Sequence, residues 1–272
     1  MVTVVRNVLL YRELLAVLVW KSIAVRYKQA YLGLGWAILK PLTLVLVFVL
    51  VRSFVGIDSG NVPYPLLTFV ALMPWTLFQE SAADGVNSIV SNYALIRKIY
   101  FPREVFPITS VLSKVVEFAI NVLILALMMA WYEFAPSFTV LWVPVLVLYT
   151  VLVSLAVVFF AAAMNARFRD VSQLLPAALS LLLYASPIIY PLQLVKDKLL
   201  LARAAGSWSE AIYFLYTLNP IAGIIDAFQR SVLQGLAPDP RTVLPGIALV
   251  LVLLPLSYGY FKRAEAEFAD VI

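Results

Sequence analysis

Long apolar blocks alternate with short polar segments along the whole chain. Six of the blocks have roughly the 20 residues that a helix needs to cross a hydrocarbon layer about 30 Å thick. The predicted spans cover Leu34–Phe54, Leu66–Val86, Phe106–Trp131, Phe138–Met164, Leu174–Tyr190 and Val243–Phe261. The short alternating segments typical of a membrane β-barrel do not dominate. The pattern therefore predicts an all-α integral membrane protein with six transmembrane helices.

The interval between the fifth and sixth predicted spans, Leu192–Arg241, is too long for a turn. Its apolar middle is split by Asn219 and Pro220, and Asp226 and Arg230 make its second half amphipathic. The free backbone groups of a broken helix need cover from protein or from a water-filled cavity. We therefore expect two short re-entrant helices; the alternative is a cap that lies flat on the bilayer.

The segment before the first span, residues 1–33, is predicted by its position to be an interfacial helix. Arg12, Glu13 and Lys21 fall on different sides of a helical wheel, so no single polar face results. Two short helices, or one helix covered by a partner protein, would explain this distribution.

The stretch NYALIRKIYFPREVFPI, Asn92–Ile108, places charged residues among aromatics between two apolar spans. Its two prolines restrict the backbone and discourage one continuous helix. A short helix from about Asn92 to Tyr100, lying across the membrane surface, would present Arg97 and Lys98 outward. Such a rigid segment could transmit force from a soluble partner to the flanking spans. The alternative is an ordinary basic loop that anchors lipid phosphates.

Composition and charge agree with a membrane protein. Hydrophobic residues make up 63% of the chain and charged residues 13%, and the mean hydropathy is +0.96. The positive-inside rule explains the net charge of +5 better than nucleic acid binding does. With the N-terminus placed in the cytoplasm, most lysines and arginines fall in inner segments, so both termini are predicted to be cytoplasmic.

The residue types needed for most enzyme chemistry are absent from the sequence. There is no histidine and no cysteine, which excludes imidazole bases, thiol nucleophiles and the usual zinc ligands. No GxxxxGK[ST] motif is present to bind the phosphates of ATP. We therefore predict that the chain is not an enzyme and holds no metal or cofactor of its own.

Two kinds of residue within the spans are candidates for function. Lys114 and Glu117 are three apart on one helix face and can pair, either as a structural ion pair or as part of a substrate path. Aromatic residues reach 13% of the chain. They serve either packing and interface belts or a passage for a partly apolar polymer.

Several motifs occur in a fixed order: RYKQAYLGLGWAILKPL, then NYALIRKIYFPREVFPI, RFRDVSQLLP, SPIIYP, NPIAGIIDAFQ and the ending FADVI. This ordered set covers essentially the whole chain. It resembles the permease subunits of ABC-type polysaccharide exporters, the family that exports O-antigen, with capsule and wall teichoic acid relatives.

The resemblance implies a single permease domain over residues 1–272, with spans one to five in 34–191, an external re-entrant segment in 192–241, and the sixth span and tail in 242–272. It implies a homodimer with a central channel in the inner membrane, surrounded by membrane lipids, and two ATP-binding cassette subunits on the cytoplasmic face that bind ATP and magnesium. The implied substrate is a glycan linked through a diphosphate to a polyprenol lipid. No nucleic acid partner is implied.

The resemblance also implies roles for particular residues. Those coupled to the ATPase are Asn92, Leu95, Ile96, Arg97, Lys98, Tyr100, Phe101 and Pro102. The external gate comprises Tyr213, Tyr216, Asn219, Pro220 and Asp226. We further hypothesise that the channel is lined by Trp75, Phe78, Lys114, Glu117, Tyr184 and Tyr190. From charge alone, the residues expected to attract the lipid diphosphate are Arg26, Lys28 and Lys40.

Rival functions are an ion-coupled secondary transporter, a membrane-embedded glycosyl or phosphoryl transferase, and an ABC permease for small lipophilic compounds. Secondary transporters usually contain paired repeats with broken helices in both halves, and only one broken segment is evident here. A transferase would need a constellation of carboxylates or metal ligands that cannot be assembled from this sequence. Only the ordered motifs argue against the third rival.

Overall fold

The structure is a computed structural model that describes residues 2–28, 31–33, 35–56, 62–98 and 101–268. Its regular elements in these ranges are helices, without a strand, which confirms the all-α prediction. The α-helices are α1 (Val2–Leu10), α2 (Arg12–Tyr27), α3 (Gly35–Val55), α4 (Tyr64–Gly85), α5 (Tyr93–Lys98), α6 (Val105–Trp131), α7 (Val143–Arg167), α8 (Val171–Ala185), α9 (Leu192–Lys196), α10 (Ser209–Leu218), α11 (Pro220–Gln229) and α12 (Pro240–Ala264).

Four helical segments of the described chain are long and apolar enough to cross a membrane: Gly35–Phe54, Val105–Trp131, Phe138–Arg167 and Pro240–Glu267. The bent pair formed by α10 and α11 would make a fifth. Helix α4 has 22 residues but ends in a polar stretch. Helix α8 has 15 residues and is about 22 Å long, short of a layer of about 30 Å. The count of six spans therefore stays a prediction.

The predicted end of the fifth span is wrong. Helix α8 stops at Ala185 rather than at Tyr190. Ser186 has an extended backbone, with φ −102° and ψ 154°, because the residue before a proline is disfavoured in the helical region. The chain from Ser186 to Pro191 is therefore a non-helical connection to α9.

Helix α4 lies at the centre of the bundle. Helices α3, α6, α7, α8 and α11 pack around it. Leu66, Phe69 and Trp75 on α4 are completely buried. Before the polar stretch at its end, α4 is apolar on nearly every side, so that part of its sequence does not distinguish one face from another.

The N-terminal segment forms two short helices, α1 and α2, which meet at Tyr11. Helix α2 packs against α6 and buries Leu15 and Leu18, while Trp20 on another face is 73% exposed. The structure has the pair of short helices, but Arg12, Glu13 and Lys21 all lie on α2, so the division into two helices does not explain their distribution.

A short helix lies where the stretch after α4 predicts one. A 3-10 turn over Val90–Asn92 leads into α5, and α6 begins at Val105, three residues after Pro102. Arg97 and Lys98 at the end of α5 are exposed, as predicted. Three of the predicted features lie outside the described residues: Tyr100, the start of the first span at Leu34, and the last four residues, 269–272.

The segment between α9 and α12 contains the predicted broken helix. Helices α10 and α11 are bent by 80° at Asn219. The Asn219 side chain accepts a hydrogen bond from the backbone N–H of Ile221 at 3.1 Å, and Pro220 occupies the first helical position, where its missing N–H is not needed. Helix α11 packs against α4, α7 and α12. It is therefore covered by the bundle, with most of its residues buried, and its re-entrant placement in the membrane stays a prediction.

Candidate functional site

Six charged side chains from four helices meet around one cavity. Helix α4 contributes two carboxylates four residues apart, α6 contributes a lysine and a glutamate three residues apart, and α2 and α3 contribute one cation each. These spacings place each pair on one face of its helix. The six residues, here called the polar cluster, are Arg26, Lys40, Glu80, Asp84, Lys114 and Glu117.

Lys114 is the centre of the polar cluster. Its side chain is only 2% exposed, and its Nζ lies 2.7 Å from Glu80 Oε2, 3.2 Å from Glu117 Oε1 and 3.3 Å from Asp84 Oδ2. The pairing of Lys114 with Glu117 predicted from their spacing is thus confirmed, but Glu80 is the closer partner. One ammonium group therefore joins α6 to the central helix α4.

The other two cations hold the outer helices to the same carboxylates. Arg26 on α2 donates to Glu117 Oε1 at 2.7 Å and also to Asp84. Lys40 on α3 pairs with Glu80, although its side chain is 66% exposed. The three cations match the three carboxylates, so the polar cluster has no net charge when all six groups are ionised.

Two groups of α2 beside the cluster keep their protons over the working pH range. Burial, together with the nearby Glu117 carboxylate, raises the pKa of the Tyr27 hydroxyl to about 12. Burial alone would lower the pKa of the Arg26 guanidinium, but the neighbouring Asp84 and Glu117 carboxylates outweigh that effect and the net shift is upward. The Arg26 guanidinium therefore stays charged at physiological pH.

The polar cluster borders a cavity of about 520 Å³. An apolar wall from α3, α6 and α8 includes Trp36, Phe118 and Leu183, and Gln79 and Asn121 add uncharged polar groups. Asn121 is 8% exposed, and its Oδ1 has no hydrogen-bond partner among the described residues. Buried acceptors are normally satisfied, so this oxygen can receive a hydrogen bond from a water or from a hydroxyl of a bound molecule.

The cavity brings together four of the predicted site residues, Arg26, Lys40, Lys114 and Glu117. Lys28, the third cation predicted to attract a diphosphate, is exposed and makes no ion pair with the described residues.

The predicted channel-lining aromatics fall into two groups. Trp75 and Phe78 are buried in the bundle core with their rings 5.9 Å apart, and the Trp75 indole donates to Gln79 Oε1 at 2.8 Å. They do not border the cavity. Tyr184 is 64% exposed, and its backbone carbonyl accepts a hydrogen bond from the Tyr190 hydroxyl at 3.3 Å. Trp75 and Phe78 could contact a substrate only if the surrounding helices part.

Two of the predicted gate residues, Tyr216 and Asn219, contact the connection that follows α8. The Tyr216 hydroxyl donates to the Tyr190 hydroxyl at 3.3 Å, and Asn219 Nδ2 donates to Ser186 Oγ at 3.2 Å. These bonds tie the break between α10 and α11 to the connection after α8. Asp226 lies apart from them and accepts a hydrogen bond from Thr242 at 3.0 Å, and Tyr213 is half-buried on α10.

The predicted coupling residues surround the exposed end of α5. Asn92 donates to the backbone carbonyl of Ser88 at 2.8 Å, which fixes the start of the segment. Ile96 is buried and Leu95 half-buried, so they anchor α5 to the bundle. Phe101 packs on Phe106 with ring centroids 5.3 Å apart, and Pro102 is half-buried beside it.

Sequence reasoning did not include Glu80 and Asp84 among the site residues. Both stand near the end of an otherwise apolar helix, four residues apart, and two carboxylates in that position are costly unless cations meet them. The four-residue spacing of these two carboxylates in an apolar helix could have identified them as site residues. Their partners could not be named, because Arg26, Lys40 and Lys114 are distant in the sequence.

A bundle of apolar helices that encloses paired charges and a polar cavity is typical of multispanning membrane proteins that handle a polar substrate. The comparison with known families agrees with this class. Residues 13–233 match the ABC-2 type transporter family, so the chain belongs to that family.

Several relatives are similar over nearly their whole length. The chain is 31% identical to an O-antigen export system permease protein of Myxococcus xanthus, and the match covers 100% of both chains. It is 25% identical to an O-antigen export system permease protein of Klebsiella pneumoniae, over 96% of this chain and 95% of the relative. It is 20% identical to a polysialic acid transport protein of Escherichia coli, over 90% and 91%.

Lys114→Met is expected to lower the free energy of unfolding strongly, by about 3–5 kcal/mol, because it leaves three partly buried carboxylates without their central, buried cation. The matched control is Lys40→Met, whose side chain is 66% exposed and which should cost about 1 kcal/mol or less. Denaturant titration of both variants in detergent micelles measures the difference. Equal losses in the two variants would contradict the central place of Lys114.

Proposed function

We propose that the chain is the membrane permease subunit of an ATP-driven exporter that moves a lipid-linked polysaccharide of the O-antigen type across the inner membrane. The observation that carries the proposal is the 31% identity with an O-antigen export permease over the full length of both chains. The distant polysialic acid transport relative favours a second candidate, export of a capsule polysaccharide. Both candidates share one substrate class, a long glycan.

Passage through a channel between two copies is supported by the exposed edge of the cavity. Trp36 and Lys40 border the cavity on α3, and both are exposed in the single chain. Further along α3, Leu46 and Phe54 are exposed as well. A second copy packed against this side would enclose the cavity from outside.

Placement of both termini in the cytoplasm is supported by contacts at one end of the bundle. Asn7 of α1 and Lys262 near the end of α12 both contact Glu104, which lies between α5 and α6. Exposed Arg97 and Lys98 lie on α5 at the same end. A cluster of basic residues at one end fits the positive-inside rule.

Separate ATPase subunits, two for each pair of permeases, would supply the energy, because the sequence has no motif for ATP phosphates. ATP and magnesium would bind to those subunits. Closure of the ATPases would displace α5, and the spans that flank it would part. A growing or complete glycan would then slide past widely spaced aromatic rings, which provide contact without tight directional bonds.

The function is tested in cells that make O-antigen but lack their own export permease and ATPase. Supplying the chain with its cognate ATPase should restore glycan at the cell surface, measured by antibody labelling of intact cells. Glycan that stays inside the cell despite full expression of both proteins would contradict the proposal. Restored surface capsule in matched cells that make a capsule polysaccharide, with no restoration of O-antigen, would favour the second candidate.

Replacing the exposed basic pair, Arg97→Glu with Lys98→Glu, should abolish co-purification of the ATPase and reduce export about tenfold or more, because the substitutions reverse the charge of the surface proposed to contact the ATPase. The measurements are co-purification and surface glycan. The control replaces exposed cations at the other end of the bundle, Lys198→Glu with Arg241→Glu. Unchanged docking and export in the first variant would remove the coupling role from α5.

The charge balance of the polar cluster changes which of the three predicted cations would bind the lipid diphosphate first. Arg26 and Lys40 already meet carboxylates, whereas Lys28 at the end of α2 has no ion pair with the described residues. An incoming diphosphate would therefore meet Lys28 first and could reach the other two cations only in exchange for their carboxylates.

Lys28→Glu should raise the substrate concentration that gives half-maximal transport by about tenfold, the value of one charge-assisted hydrogen bond. Transport of lipid-linked glycan in proteoliposomes measures it, and maximal rate should change less. Lys21→Glu on the same helix, also exposed, is the matched control. Equal effects of the two substitutions would show only a general effect of charge.

A further inference from the structure

Glu104 is a buried carboxylate between α5 and α6, directly before the first residue of α6, and it is not part of the polar cluster. Its side chain is 1% exposed. Its Oε1 accepts hydrogen bonds from Asn7 at 2.8 Å and from the Tyr258 hydroxyl at 3.3 Å, and its other oxygen pairs with Lys262. A buried carboxylate is tolerated only with such partners, so α1, the start of α6 and the end of α12 are held at one point.

The neighbouring residue makes a second set of contacts with the same end of α12. The backbone N–H of Arg103 donates to Glu265 Oε1 at 3.2 Å, and its guanidinium donates to the Glu265 carbonyl oxygen. Lys262 Nζ lies 2.7 Å from Glu265 Oε2 and thereby joins the two sets. Two consecutive residues after α5 are therefore fixed to the last turns of α12.

Helix α12 continues without interruption from this end to the opposite end of the bundle. Its 25 residues extend about 37 Å. Two prolines within it remove backbone donors, but Phe159 of α7 packs against Tyr258 and Phe261, each with centroids 5.4 Å apart. These ring contacts hold the helix against α7 close to the fixed end.

The other end of α12 is in close contact with α11. The Thr242 hydroxyl donates to Asp226 Oδ2 at 3.0 Å. A Cβ at Gly223 would lie 2.4 Å from the Thr242 carbonyl oxygen, and a Cβ at Gly246 would lie 2.8 Å from Pro220 Cα. Backbones this close cannot shift independently, because interiors at crystal-like density transmit displacement.

We propose that the Glu104–Lys262 pair is a mechanical link that transmits displacement of α5 through α12 to the re-entrant helices α10 and α11. Helix α6 receives the same displacement through the chain itself. The pair adds a second, noncovalent route, which ends at the opposite side of the bundle. The inference rests on the proposed function in one respect, that an ATPase acts on α5.

The test uses the absence of cysteine from the sequence. A single Glu210→Cys on α10, where the native side chain is 82% exposed, carries an environment-sensitive fluorophore. The labelled chain is assembled with its ATPase in lipid nanodiscs, and the fluorescence change on addition of Mg-ATP is recorded. Glu104→Gln and Lys262→Met are each introduced into this background.

Both variants should reduce the fluorescence change by about two- to thirtyfold, the range for residues that carry coupling between distant sites. Co-purification of the ATPase and its rate of hydrolysis should persist. The matched control is Glu267→Gln, which removes an exposed ion pair to Arg167 of α7 at the same end of α12. That variant should keep the full response.

Four results would overturn the link. The first two are an undiminished fluorescence change in both variants and an equal reduction in Glu267→Gln. The other two are loss of ATPase docking in both variants, and a reporter that does not respond in a complex that keeps Glu104 and Lys262 and exports glycan. In the last case the proposed function stands and only the link fails. A complex that keeps Glu104 and Lys262 and docks its ATPase but exports no glycan contradicts the proposed function instead.

Discussion

Charge between apolar helices is tolerated only where an opposite charge meets it, because desolvation of an unpaired ion costs far more than a helix pair gains by packing. In this chain Lys114 meets that requirement by contact with three carboxylates on α4 and α6. Arg26 and Lys40 bring α2 and α3 to the same carboxylates. The arrangement of four helices around the cavity therefore depends on one charge-balanced set of contacts.

Glu104 is a second charge that needs an opposite charge beside it. Its contacts and those of the polar cluster join different helices. The polar cluster joins the N-terminal helices to the centre of the bundle and borders the cavity. The contacts of Glu104 and Arg103 join the segment after α5 to the end of α12. We propose that the polar cluster borders the path of a substrate and that the contacts of Glu104 and Arg103 transmit movement. Neither requires a chemical reaction on this chain, which suits a protein that is driven by a partner.

The sequence predicts features that depend on neighbouring residues. Apolar blocks indicate the long helices, Asn219 and Pro220 indicate the break between α10 and α11, and the spacing of Lys114 and Glu117 indicates their contact. Features that depend on distant residues were missed, such as the contact of Arg26 with Asp84. The sides of α4 before its polar end could not be distinguished either, because that part is apolar on nearly every side. The buried positions of Trp75 and Phe78 followed only from the structure.

The central claim is that this chain is a passive permease opened by a separate ATPase. The most direct measurement is ATP hydrolysis by the purified chain in lipid nanodiscs, alone and after addition of its partner ATPase. We expect no hydrolysis above the lipid background for the chain alone, and hydrolysis that appears only with the partner. Nucleotide turnover by the pure chain, freed of every other protein, would contradict the claim.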